Sequence, residues 1–179
     1  MKIIKKILFT ILVLISLALF AAIFMPKEYA VEREIVINQP KDSVFNYIKY
    51  LKNQDHFSVW SKMDPAMKKT FTGVDGTAGA IAGWESENEQ VGTGEQEIKS
   101  ITPGERMDVE LRFKKPFEAT DNAYFTTEAI SDKETKVKWG FNGRMPYPMN
   151  LMLPMMKMDE LLGKDLQGGL DNLKVVLEK

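Results

Sequence analysis

The chain of 179 residues is 44% hydrophobic and 27% charged, inside the range of ordinary globular domains and outside those of disordered, collagen-like or disulfide-stapled chains. It contains no cysteine, which excludes disulfides, zinc–thiolate sites and thiol nucleophiles together. All 25 acidic residues but only 21 of the 24 basic ones follow position 26, leaving that part with a net charge of -4 and arguing against a nucleic-acid partner.

Ile7 to Met25 is an uninterrupted apolar run in which Thr10 and Ser16 are the only polar side chains, long enough to predict one membrane-spanning helix. Lys2, Lys5 and Lys6 precede it without an acid. The positive-inside bias therefore predicts a single-pass membrane protein, N-terminus cytoplasmic and remainder extracytoplasmic. A cleaved signal peptide is the alternative. Against it, the run exceeds an h-region of about 7–15 residues, and Ala21-Ala22 leads into Ile23-Phe24-Met25 instead of a small-x-small site. Residues 1–26 are thus read as a transmembrane anchor and 27–179 as one domain without internal repeat or linker.

Tyr29 to Ile37 alternates Val31, Arg33, Ile35 and Ile37 against Glu32, Glu34 and Val36, which predicts a first strand ending at Asn38-Gln39-Pro40. Pro40 suits a helix's first turn, and Val44, Phe45, Ile48 and Leu51 recur at helical spacing, predicting a helix over Asp42 to Leu51. Asn53 to Pro65 reads as a second short helix or an ordered loop. From Met67 to Gly143 turn signals at Gly73-Val74-Asp75-Gly76, Glu87-Asn88-Glu89, Pro103-Gly104, Lys115-Pro116 and Ser131-Asp132-Lys133 divide six strands. Arg106 to Phe113 and Thr135 to Gly143 alternate most clearly, predicting antiparallel hairpins with one buried and one wet face. Finally, Met158, Leu162, Leu166, Leu170, Leu173 and Leu177 form an apolar stripe that predicts a long helix over Leu153 to Glu178, starting or kinking at Pro154.

Strand, two short helices, six strands and a long C-terminal helix make the α+β helix-grip arrangement, a curved antiparallel sheet of about seven strands wrapped around that helix. The segments Ile37-Asn38-Gln39-Pro40, Gly79 to Trp84-Glu85, Val91-Gly92-Thr93-Gly94, Leu111 to Pro116, Thr135 to Trp139 and Gly163 to Lys174 resemble the START-like (SRPBCC) superfamily, in its polyketide cyclase and dehydrase branch. The resemblance covers about residues 30–179. It implies a cavity between sheet and long helix, used across the superfamily for hydrophobic ligands such as lipids, sterols or polyketides, and catalysis in a minority of members.

No chemistry-bearing motif stands out. His56 is the only histidine; Asp55 and Ser58 adjoin it, but adjacency does not make a triad and no Gly-x-Ser-x-Gly elbow is present. Glu85, Glu87 and Glu89 alternate at a turn without the pattern of a calcium loop, and the glycines at 73, 76, 79 and 83 lack phosphate-loop spacing. The expectation is no catalytic residue, no metal and no cofactor. Trp60, Trp84, Phe113, Phe125, Trp139 and Phe141 are expected to line a cavity. Met145, Met149, Met152 and Met156, from a methionine-rich stretch suited to a ligand of variable shape, are expected to join them. Tyr124, Arg144 and Tyr147 are the polar candidates.

The expected function is a membrane-tethered module that binds a hydrophobic small molecule or lipid. Two alternatives stand beside it. One is a polyketide cyclase- or dehydrase-like enzyme. The other is a ligand-free envelope domain whose surface serves a protein partner.

Overall fold

A computed structural model describes residues 2–179. Helix α1 (Lys2–Phe24) is 23 residues long, about 35 Å at 1.5 Å per residue, and its side chains are exposed along almost its whole length. By length and composition it can cross a membrane.

Seven strands follow: β1 (Glu28–Ile37), β2 (Lys68–Thr72), β3 (Ile81–Glu85), β4 (Thr93–Thr102), β5 (Arg106–Lys115), β6 (Ala119–Ser131) and β7 (Glu134–Arg144). They form one antiparallel sheet in the order β1-β7-β6-β5-β4-β3-β2. Five hairpins join consecutive strands, and a single long connection places β1 beside β7. That connection carries α2 (Lys41–Ile48), a 3-10 turn (Leu51–Asn53), α3 (Gln54–Phe57) and α4 (Val59–Met63). The helix expected over Asp42 to Leu51 thus stops at Ile48, and the loop-or-helix region contains two short helices. The six strands expected between Met67 and Gly143 are present.

The alternation seen in the sequence sorts the two faces. Val31, Val137, Phe125, Val109 and Ile98 point inward and are buried. The outer face carries an ion-pair lattice centred on Arg112, which reaches Glu95 at 2.8 Å, Glu97 at 2.7 Å and Glu110 at 2.6 Å.

Two cover pieces lie on the inner face. Val44, Phe45 and Ile48 of α2 pack into one core with Ile37, Val137, Met107 and Ile98. Helix α6 (Met158–Leu177) lays Leu166, Leu170 and Leu173 against β1 and β7. A Cβ at Gly169 would stand 2.5 Å from the Trp139 ring, so the glycine lets the helix rest directly on that indole. At its far end α6 is pinned to β1: Asn38 N–H donates to Glu178 at 2.5 Å, and Gln39 Nε2 donates to the Leu177 carbonyl at 2.8 Å.

The break expected at Pro154 falls three residues later. Pro154 sits in the first turn of the short helix α5 (Leu153–Met156), where its missing N–H costs nothing, and Lys157 takes a left-handed conformation, φ 47°, between α5 and α6. The segment Met149–Met156 therefore turns away from the sheet. It meets the end of α1 instead: buried Asn150 donates through Nδ2 to the carbonyls of Ala22 at 2.7 Å and Met25 at 3.2 Å.

Candidate functional site

The half of the inner face that α2 does not reach holds a partly open cavity of about 380 Å³. Its floor is aromatic. Phe125 stacks on Trp139 with ring centroids 4.7 Å apart, Trp60 meets Trp139 edge-on at 6.0 Å, and Trp84 meets Phe113 edge-on at 6.0 Å. Val109, Leu111, Leu162 and Leu166 complete the apolar wall. The size and lining suit an apolar small molecule, for which cavities of about 300–1,000 Å³ with few polar groups are usual.

Polar side chains are interspersed in this lining, among them Ser58, Ser61 and Gln90, and three further features bear on its chemistry. Asp121 on β6 is 6% exposed, and its Oδ1 accepts the Arg144 backbone N–H at 3.0 Å. Burial pushes its carboxyl above the ordinary aspartate range, opposed by that single hydrogen bond. Tyr29 on β1 lies stacked against Phe141 at 6.2 Å, across a position where Gly143 has no side chain. Burial first, and the charge of Asp121 second, push its phenol up to about 12. The third feature is amide: Gln96 Nε2 donates to Gln54 Oε1 at 2.9 Å. Toward the outside Lys69 pairs with Asp55 at 2.7 Å.

Trp60, Trp84, Phe113, Phe125, Trp139 and Phe141 all lie on the cavity wall. The remaining expected lining residues lie elsewhere. Tyr124 sits between inward Ala123 and Phe125, so strand alternation turns it outward, where its hydroxyl donates to Glu32 at 2.5 Å and the Arg106 guanidinium covers its ring at 4.2 Å. Arg144 contributes its backbone N–H to Asp121 while its side chain is exposed, and Tyr147 is exposed as well. Met145, Met149, Met152 and Met156 are not on the cavity lining: Met145 N–H donates to the Lys27 carbonyl at the end of β7, and Asn150 holds the segment carrying the other three at the end of α1. His56 is exposed, its Nδ1 2.7 Å from the Tyr47 hydroxyl.

Sequence reading passed over Asp121, Tyr29, Gln54 and Gln96. A signal existed for two of them: Asp121 shares strand parity with Ala123 and Phe125, and Tyr29 shares it with Val31. A polar residue at an inward strand position is a candidate lining residue that strand parity alone can pick out.

No family model and no curated protein matches this chain. Solved structures do. Ara h 8.0201 aligns with a TM-score of 0.54 at 15% identity over 84% of this chain and 97% of its own. The di-domain ARO/CYC StfQ of the steffimycin biosynthetic pathway aligns with a TM-score of 0.64 at 7% identity over 85% of this chain and 51% of its own, so this chain spans about half of it. XoxI from Bacillus cereus aligns with a TM-score of 0.60 at 12% identity over 84% of this chain and 96% of its own.

Proposed function

Given that the chain carries the helix-grip fold of the START-like superfamily, we propose that residues 27–179 bind a hydrophobic small molecule or lipid in the cavity, and that residues 1–26 tether this domain to a membrane, N-terminus cytoplasmic and domain outside. The observation that carries this reading is the 380 Å³ aromatic-lined space between sheet and α6. An apolar pocket of that size with few polar groups is the usual form of a small-molecule site. Tethering would hold the site at the lipid surface and raise its local concentration there without further contacts. The space also counts against a ligand-free domain that works only through its surface.

The test is extraction of the full chain from its own host in a membrane-solubilising polymer, followed by solvent extraction and mass spectrometry. A hydrophobic molecule at near-equal molar amount is expected, and an empty protein that also ignores a lipid panel sinks the reading.

A second reading is favoured by the neighbourhood of Asp121 and Tyr29. A buried carboxyl with a raised pKa beside a phenol can give and take a proton, which a cyclase or dehydrase acting on a polyketide-like substrate requires. StfQ, of the steffimycin biosynthetic pathway, shares the fold. Asp121→Asn separates the two readings: unchanged ligand occupancy supports binding alone, whereas accumulation of an unconverted substrate in the variant supports catalysis.

A further inference from the structure

The strand registers sort the ends of all seven strands into two groups. Arg144 stands opposite Glu28, Asn122 opposite Asn142, Ala119 opposite Phe113, Lys115 opposite Thr93, and Glu85 opposite both Thr93 and Lys68. These ends share one pole of the sheet. Only Met25, Pro26 and Lys27 separate α1 from Glu28, a reach of at most about 14 Å of extended chain. This pole is therefore held beside the end of α1. The joint is also fixed: Asn150 bridges the carbonyls of Ala22 and Met25, and Met145 N–H donates to the Lys27 carbonyl at 2.8 Å.

The cavity reaches the same pole. Tyr29, Asp121 and the β3–β4 and β5–β6 connections line it there, while Phe71, Val109, Trp139 and residues of α3, α4 and α6 line its deeper part. The opposite pole is closed by α2. Around the α1 pole stand large apolar side chains with no cover: Phe117 is 78% exposed and Met155 83%, and Tyr147, Met149 and Met152 are about half exposed. Clustered exposure of this kind marks a contact surface. Its position decides the partner. A surface this close to the end of a membrane-spanning helix faces lipid, and Tyr147 is of the residue type that populates the boundary between lipid and water.

We propose that this pole is seated in the bilayer interface, with Phe117 and the segment from Tyr147 to Met155 immersed among the lipids, so that the cavity faces the leaflet directly and takes its ligand from dissolved membrane lipid without passage through water. The proposal rests on the reading of α1 as membrane-spanning. It gives the methionine-rich segment a lipid-facing function in place of a cavity-lining one.

Because the chain has no cysteine, single labels can be placed without background. Full-length Ser16→Cys, Phe117→Cys, Met155→Cys and Asp132→Cys variants carry an environment-sensitive fluorophore in phosphatidylcholine vesicles, with and without a nitroxide on the acyl chains. Asp132 lies in the β6–β7 turn at the far pole. Strong quenching at positions 16, 117 and 155, with none at 132, is the expected result. Quenching at 16 but not at 117 and 155 overturns the seated pole while leaving the anchor intact. No quenching at 16 overturns the anchor itself. Positions 117 and 155 shielded from both lipid nitroxide and aqueous iodide would mean that a protein covers this surface, which also overturns the proposal.

Discussion

The inner face of the sheet has two halves built from the same kinds of residue and finished differently. In the half far from α1, Ile37, Val137, Met107 and Ile98 are covered by Val44, Phe45 and Ile48, and all seven are buried. In the half near α1, Phe113, Trp84, Phe125 and Trp139 face one another across an opening of about 380 Å³, and a carboxyl and a phenol share it. One short helix makes the difference, because α2 extends over only part of the sheet. Stability is concentrated where the helix plugs the sheet, and binding capacity where it does not.

The contrast can be broken by substitution. The largest effect is expected from Phe45→Ala in the plugged half. Deleting a buried phenyl from a filled core costs about 3–5 kcal/mol, on the order of 10 °C in Tm for a domain of this size. Phe113→Ala, at the open wall, should cost less than half as much in the same urea titration, since part of its ring already faces empty space. Equal losses would mean that the two halves are packed alike.

Ala123→Phe acts in the opposite direction by projecting a ring into the open half. Co-purifying ligand should vanish while Tm stays within about 2 °C, because the added volume enters existing space and does not overpack the core. A large drop in Tm with ligand retained would place the binding site elsewhere.

Asp121→Asn tests the polar end. The carboxyl's folded pKa is raised, so the folded state keeps a proton that the unfolded chain has already released as pH rises past the ordinary aspartate value of about 3.9. Wild-type stability should therefore fall as pH rises from there through the folded pKa, with the loss complete above it. The asparagine variant should escape that loss and melt at a higher temperature at neutral pH, with the gap closing near pH 3. A lower Tm for the variant at neutral pH would assign the carboxylate a stabilising partner.

The smallest effect is expected on the outer face. Arg112→Ala removes the centre of a partly exposed lattice on the solvent side of the sheet, and should lower Tm by about 2 °C or less, shrinking further with added salt. Hydrogen bonds from Lys114 and Arg112 hold Glu95 below its ordinary range, and those from Arg112 and Lys99 do the same for Glu97. Their contribution is thus present above the unfolded carboxylate range and lost on acidification, and the variant's acid melting curve should be the flatter one.

The sequence by itself determined the elements and their faces. Period-two alternation in β5 and β7 follows from the geometry of a half-buried strand, the apolar stripe from Met158 to Leu177 follows from that of a helix against a sheet, and the run from Ile7 to Met25 follows from the demands of a membrane-spanning segment. The first two are local properties of the folded domain, and the third states only that the run has the length and composition a membrane-spanning helix needs. What only the tertiary structure decided is how far each cover reaches. That α2 stops short of the near pole, that Asp121 and Tyr29 face one cavity from β6 and β1 on either side of β7, and that Asn150 holds the methionine-rich segment at the end of α1 all depend on register and crossing between residues far apart in the chain. A stripe or an alternation states that a side chain faces inward. Whether it meets another side chain or an empty space depends on a distance between elements that no local pattern encodes.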